Sequence, residues 1–397
     1  MPGVGSEEKA ESVDRQGDAA LHRDDPELLG AGTDDAGAAP SVLASPKLLI
    51  QTGLVVLLLI VGIYFLLPKI VGIQGTLSRL GDAAPAWLVV AFAMDVAAYL
   101  SYVALFRGVV GRGLGLRFRE AYEVTMSGLA ASLLFSAGGA GGVVLNYWAI
   151  RKAGMEAGRA ACRLVAFLVL LYGVYLSVVI INGILLSAGV FHGANPPGLT
   201  VVPAGIAGLV ILVFLLIALI PGDLERRAQA ASRTTRRGRL AHRLATVPAT
   251  LARGTRTALD LVRNPSEGGL AVVGAIGYWA ANIGILWASF HAFGVSVPLG
   301  VVVQGFFLGL AANLFPFAPA GVGAVDAGMI GAFVLFGFPG DDVFAAVLTY
   351  RLFAFWLPIP PGIIAFFQLR RTVARWEVEG TPASRKGGVT SPAEATL

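Results

Sequence analysis

Apolar residues gather along this chain into long blocks separated by short charged loops. Leu48 to Leu67 and Val201 to Ile220 each run 20 residues without a charge, enough as a helix to cross a hydrocarbon core of about 30 Å. The same patterning over 87–106, 160–187, 269–290 and 343–369 brings the full spans to six. Two further apolar stretches, 120–150 and 298–338, are interrupted by Gly and Pro. The expected fold is all-α, a polytopic helical membrane protein.

Charge then orients the spans, because basic short loops stay on the cytoplasmic side. Arg107, Arg112, Arg117 and Arg119 follow the span 87–106, and Arg151, Lys152 and Arg159 precede or open the span 160–187. Ten Arg lie in 221–268, and Arg370-Arg371 follow the last span. The loops 188–200 and 291–300 hold no Arg or Lys and are placed outside. Both flanks of 120–150 are then cytoplasmic, and both flanks of 298–338 external. A segment that enters and leaves on one side is a re-entrant hairpin. The turns fall near Gly138-Gly139-Ala140-Gly141-Gly142 and near Pro316-Phe317-Ala318-Pro319-Ala320-Gly321. Two short spans joined by a glycine-rich packing turn are the alternative for each.

The chain also resembles itself. Gly128-Leu129-Ala130-Ala131-Ser132-Leu133 matches Gly309-Leu310-Ala311-Ala312-Asn313-Leu314, and the match extends to Gly142 with Gly323 and Val144 with Val325. After a gap, Arg163-Leu164-Val165-Ala166-Phe167 meets Arg351-Leu352-Phe353-Ala354-Phe355. Each repeat reads as span, broken hairpin, then a span beginning near an Arg, over 87–187 and 269–369. The connecting span 201–220 reverses the second repeat, so the two are inverted. Inverted repeats with discontinuous helices are a recurring plan of secondary transporters.

Composition agrees with this plan. Hydrophobic residues make up 56% and charged residues 14% of the 397, against about 45–50% and about 25% in soluble domains. Residues 1–46 hold ten Asp/Glu against Lys9, Arg15 and Arg23, and read as a disordered acidic cytoplasmic tail. That segment is too long and too acidic for the n-region of a signal peptide, so the first apolar run is expected to be a retained anchor. Residues 47–371 form the transmembrane domain, with 221–268 as a basic cytoplasmic loop, and 372–397 read as a second disordered cytoplasmic tail. Within that loop, Arg236, Arg237, Arg239 and Arg243 interleave with Leu240, Leu244, Val247 and Leu251. The spacing suits a basic amphipathic helix on the inner leaflet, broken at Pro248. The single Cys162 excludes an intrachain disulfide, and the four His show no metal-ligand spacing. No metal site, cofactor or catalytic constellation is expected.

Several runs carry a family resemblance. Asn313-Leu314-Phe315-Pro316 followed by Pro319-Ala320-Gly321-Val322-Gly323-Ala324-Val325-Asp326, together with Tyr350-Arg351-Leu352 and Trp356-Leu357-Pro358-Ile359-Pro360-Pro361-Gly362, resembles the lysylphosphatidylglycerol synthase transmembrane-domain family, also described as flippase-like. So does the earlier glycine-rich turn before Arg151-Lys152-Ala153-Gly154. The resemblance covers roughly 50–375 and rests on the order and spacing of the runs. It implies a protein that moves or accommodates lipids, among them aminoacylated phosphatidylglycerol and polyprenyl-linked compounds. In bifunctional members a soluble aminoacyl-transferase domain follows. Here 28 residues follow the last span, and no such domain is expected. The family's usual Glu after the second turn is Asp326, and the first turn offers Asn146 and Tyr147 in place of its proline and charged residue.

The candidate substrate-binding residues are Arg351, Asp326, Asn313, Arg163, Asn146, Asp95, Gly139 and Gly321. Arg351 lies inside the last span, where a guanidinium is costly and can grip a lipid phosphate through paired N–H donors. It equally suits a snorkelling Arg or a structural partner of Asp326 or Asp341. Arg163, its repeat mate, lies nearer a basic loop. Asp95 falls near the middle of 87–106, where it suits a proton-coupling site, a cation contact, an internal ion pair or a neutral hydrogen-bonded carboxyl. The glycines can admit a headgroup to the backbone, although close helix packing is their commoner use. Pro358, Pro360 and Pro361 should kink the last span.

These residues favour a flippase-like protein of the cytoplasmic membrane with both termini inside, acting on membrane lipids with anionic headgroups. The alternative is an accessory subunit that presents lipid to a separate membrane-associated glycosyl- or aminoacyl-transferase. Catalysis by this chain and nucleic-acid binding are not expected, since basic clusters at membrane edges follow from span orientation alone.

Overall fold

A computed structural model describes residues 83–134, 140–219, 236–314 and 323–387. The expected span 48–67, the tail 1–46, residues 135–139 and 315–322 of the hairpin turns, and residues 388–397 lie outside the described residues. Every regular element described is helical, as an all-α membrane protein requires: with no water to satisfy backbone groups, each segment must bond within itself.

Helix α1 (Pro85–Phe106) continues through a π-helical turn, Arg107–Gly111. Two arms follow, α2 (Phe118–Leu134) and α3 (Ala140–Lys152). Then come α4 (Ala157–Ser187), α5 (Pro197–Ala218), α6 (Arg236–Arg263) and α7 (Pro265–Ala292). A second pair of arms, α8 (Leu299–Ala311) and α9 (Ala324–Leu335), precedes α10 (Gly340–Arg351), a π-helical turn at Leu352–Trp356, α11 (Ile359–Glu379) and α12 (Pro382–Gly387). Pro opens α1, α5 and α7, where its missing N–H costs nothing. Gly154 and Gly294 close α3 and α7 at φ 97° and 71°, a left-handed cap that a residue with a Cβ resists.

Five helical segments are long and apolar enough to cross a membrane: 85–111, 157–187, 197–218, 265–292 and 340–379. They match five of the six expected spans. The lipid face is plain on α5, where Ile206, Leu209, Leu212 and Leu216 are all more than half exposed. By contrast α8 and α9, at 13 and 12 residues, reach about 20 and about 18 Å at 1.5 Å per residue, well short of the core.

The closest helix pairing joins α1 to α7. Their contacts run in opposite order: Ala84 donates its N–H to Ala292, Trp87 stacks on His291, Met94 meets Gly284, Ser101 meets Gly277, and Gly108 meets Ala271. The first helices of the two halves are therefore antiparallel. Glycines let the backbones approach, since a Cβ on Gly274 would lie 2.7 Å from Ser101 O.

The bases of the helix pairs α2–α3 and α8–α9 lie at opposite ends of α4. At the base of the first, α2 and α3 both meet the C-terminal segment. Glu123 accepts from Thr372 Oγ1 at 2.6 Å, Glu120 from Trp376 Nε1 at 3.1 Å, and Lys152 donates to Glu377 at 3.0 Å. At the second, Gly300 O on α8 accepts from Asn182 near the end of α4, while Phe333 on α9 packs on Phe290 near the end of α7. Because α4 starts at the base of the first hairpin and runs 31 residues, those two bases lie a span apart.

Three expectations need correction. Pro248 does not break α6, which runs unbroken from Arg236 to Arg263. Its C-terminal half does not lie free on a leaflet either. Ala252, Thr255, Ala258 and Leu261 are buried at a three-residue spacing, and Arg256 Nε donates to Ala218 O at the end of α5, 2.7 Å away. Third, 372–387 is not a disordered tail: α11 continues to Glu379 and α12 docks on the first hairpin, Ala383 N–H to Ala153 O at 3.3 Å. Buried Thr372 and Trp376 give that segment the anchors its polar composition hides.

Candidate functional site

The last span breaks at its prolines as expected, through a π-helical turn. Leu357 N–H bonds to Leu352 O at 3.0 Å, and the prolines begin one residue later. The prolines, lacking an N–H, leave the carbonyls of Ala354, Trp356 and Leu357 without their usual α-helical donors. Arg351 stands immediately before it, buried, at the C-terminal end of α10. Its Nε lies 2.6 Å from Asp326 Oδ1, with the two side chains only 7% and 14% exposed. The guanidinium carbon also sits 4.9 Å from the centre of the Phe355 ring.

Asp326 does two things. Besides pairing with Arg351, its Oδ2 accepts the Gly323 N–H at 2.9 Å, closing the start of α9. The carboxylate at a helix N-terminus is favoured by the dipole as well. The pair thus fastens the returning arm of the second hairpin to the broken last span, directly beside the turn. Asp341, the other partner considered, is exposed.

A belt of buried polar groups adjoins this pair. Tyr350 neighbours Arg351 in sequence and feels Asp326, Tyr278 and Asp95 electrostatically. Tyr278 packs on Tyr102 at 5.1 Å and on Trp279 at 5.0 Å. Asp95 is 1% exposed, with Tyr99 one turn further along α1. The structure therefore brings Asp95, Arg351 and Asp326 into one neighbourhood that no sequence spacing shows.

The remaining candidates do not join it. Arg163 NH1 donates to Val109 O at 3.0 Å, within the π-helical turn after α1, a structural bond that satisfies a displaced carbonyl. Asn146 is buried in the first hairpin against Gly128, its Oδ1 without a hydrogen-bond partner. Asn313 is exposed in the middle of the 3-10 turn Ala312–Leu314. Gly139 and Gly321 lie outside the described residues. Among the described glycines of the repeat motif, packing is the observed role: a Cβ on Gly128 would overlap Asn146, and one on Gly309 would overlap Met329. No grouping of His, Cys, Asp or Glu suited to a metal occurs among the described residues.

Sequence reasoning missed two polar constellations. One is the base of the first hairpin, where Glu120 also accepts the Arg117 amide at 2.8 Å and Arg385 NH2 at 2.9 Å. Burial pulls the Glu120 carboxyl upward, but the Arg117 amide, Arg385 and Trp376 outweigh it and hold it below the ordinary 4.5. Glu120 with Glu123, and Thr372 with Trp376, are spaced as helix-face pairs, which is the signal that was available. The other joins α4, α8 and α5: Asn182 Nδ2 donates to Gln304 Oε1 at 2.9 Å, and Gln304 Nε2 to Leu199 O at 2.8 Å.

Comparison with known proteins covers the same ground. Residues 50–362 match the family model described as the lysylphosphatidylglycerol synthase TM region. Among curated relatives, a UPF0104 membrane protein of Methanothermobacter thermautotrophicus is 31% identical over 86 residues, 22% of this chain and 26% of that protein. Another match to a UPF0104 membrane protein of that organism is 32% identical over 87 residues, again 22% and 26%. The alignments thus span about a quarter of the length of the curated relatives. The family match takes in both hairpins, Asp326, Arg351 and the proline-broken last span, and on it the chain belongs to the family of the lysylphosphatidylglycerol synthase transmembrane region.

Proposed function

We propose that this protein moves a lipid across the cytoplasmic membrane, with Arg351 as the headgroup ligand. The observation that carries the reading is the buried Arg351–Asp326 pair, set between a short hairpin and a π-broken span. Ionisable residues at membrane depth are costly and are kept for substrate or ion pathways. An anionic headgroup exchanges with Asp326 for the guanidinium, because phosphate offers the same paired acceptor oxygens as carboxylate. Losing Arg351 frees Asp326 and the arm α9 that it caps, so headgroup arrival loosens the second hairpin from the last span.

The antiparallel α1–α7 pair and the opposed hairpins support an inverted repeat. On this reading 120–150 and 298–338 are re-entrant, both termini are cytoplasmic, and the halves exchange roles as the site faces one side and then the other. The chain binds and moves lipid without changing its covalent structure.

The test is transbilayer movement by the full chain, purified into vesicles holding headgroup-labelled phospholipids. Wild type should move an anionic lipid faster than a zwitterionic one, and Arg351→Met at equal abundance should lose that preference. Equal rates for protein-free and protein-containing vesicles, under all imposed gradients, overturn the reading. If a membrane-associated transferase co-purifies tightly from native membranes and no movement is seen, presentation of lipid to that enzyme takes its place.

A further inference from the structure

Headgroup binding at Arg351 leaves one buried ionisable group without a role. Asp95 lies about 15 Å along α1 from Pro85 and is as inaccessible as any core residue. Its Oδ1 has no hydrogen-bond partner, and the side chain that bears on the carboxyl from one turn away is the Tyr99 hydroxyl. A buried polar atom left unsatisfied is rare and calls for a use. Among the described residues no cation is paired with it.

The groups that face it are all hydroxyls. Tyr99 comes from its own helix, Tyr278 from α7 and Tyr350 from α10. The π-helical turn Leu352–Trp356 packs on α1 but brings no titratable side chain. The acids of α2, Glu120 and Glu123, are held at the hairpin base by Arg385, Trp376, Arg119 and Thr372. Arg107 at the end of α1 sits over Phe118. The guanidinium that reaches this belt is Arg351, and Asp326 already engages it.

We propose that Asp95 is a reversible proton-binding site within the membrane, through which a proton gradient drives the lipid movement proposed above. In the arrangement described, the carboxyl carries its proton, since an ionised carboxylate without a cation is costly at this depth. When the halves shift and water reaches the belt from one face, the proton leaves, and one proton is taken up from the other face to restore the starting state. No other bond changes. Tyr350 joins the two events: it borders Arg351 and feels both Asp95 and Asp326. A charge appearing on Asp95 therefore draws on the guanidinium that binds the headgroup, and weakens its hold on Asp326.

Proton binding does not depend on the lipid reading, but the coupling does, so the experiment has two arms. In the first, the full chain in vesicles is treated with a hydrophobic carbodiimide, which adds to a carboxylic acid only in its protonated form. Mass spectrometry should find the adduct on Asp95, falling about tenfold per pH unit once the buffer passes the site's midpoint. Asp95→Asn abolishes it, and Asp95→Glu, which keeps the acid, restores it. No adduct at any pH from about 5 to about 9, or a yield that ignores pH across that range, overturns the proton site. In the second arm, an imposed gradient of about one pH unit should change the wild-type lipid rate severalfold and leave Asp95→Asn unaffected. A wild-type rate indifferent to the gradient overturns the coupling, even if Asp95 titrates. Absence of any lipid movement overturns the transport reading instead, while the adduct still decides whether Asp95 binds a proton.

Discussion

Consider removing one partner of the Arg351–Asp326 pair. Asp326→Asn keeps an acceptor for the Gly323 N–H, so the cap on α9 survives, but it strands the Arg351 charge in a site where the side chain is 7% exposed. Leaving one member of a buried pair uncompensated costs about 3–5 kcal/mol. The 14% exposure of Asp326 admits some screening, which argues for the lower end, about 3 kcal/mol. Arg351→Met should cost a similar amount, because it leaves the carboxylate alone. The double variant strands no charge: the introduced amide still serves the cap, the introduced thioether packs against Phe355, and the total should be about 1 kcal/mol rather than the sum. The cycle then gives a coupling energy of about 4–5 kcal/mol, read from equilibrium unfolding of the four proteins in mixed detergent micelles. A coupling energy below about 0.5 kcal/mol would mean that water or lipid already satisfies both charges, and would refute the buried-pair argument. Transport measured on the same four proteins separates stability from function. The double variant should be stable and inactive. Wild-type transport from it would falsify Arg351 as the headgroup ligand.

Other outcomes follow from particular contacts. Gly309→Ala, whose new Cβ overlaps Met329, should destabilise by about 1–3 kcal/mol, whereas Gly331→Ala, with open space around it, should be neutral or gain up to about 1 kcal/mol in helix propensity; thermal unfolding of both distinguishes packing from flexibility. Because the folded Glu120 carboxyl is held below 4.5, its contribution is present above that value and is lost as pH falls through the lowered one; the protection of amides over 380–387, taken as the intrinsic exchange rate at each pH divided by the observed rate, should therefore fall in acid and stay flat between neutral and mildly alkaline buffer. Glu120→Gln should remove most of that acid dependence. On a Cys162→Ser background, Gly139→Cys and Ala320→Cys should be reached by impermeant thiol reagents from opposite sides of the membrane; labelling of both from one side alone contradicts the opposed hairpins.

Much of this architecture was legible without coordinates. An uncharged run of 20 residues such as Val201–Ile220 has one stable solution in water and lipid together, a helix that spans, so five described helices fall where composition puts them. The proline-broken last span and the antiparallel sense of α1 and α7 follow from equally local causes: a missing N–H, and the side on which Arg accumulates. What the chain alone did not decide is which polar groups meet. Pro248 in isolation is a helix breaker, yet α6 passes through it, and packing of Ala252, Ala258 and Leu261 holds the turns that follow the lost bond. Residues 372–387 look like a polar tail, yet Thr372 and Trp376 find Glu123 and Glu120, some 250 positions earlier. Arg163 and Arg351 open similar sequence runs, and only their surroundings separate them: one meets a backbone carbonyl of a π-helical turn, the other a carboxylate at the start of α9. Burial in lipid is a property of each segment and is written in its composition. Pairing of charges inside the bundle depends on which faces touch, and that is settled only when the helices pack.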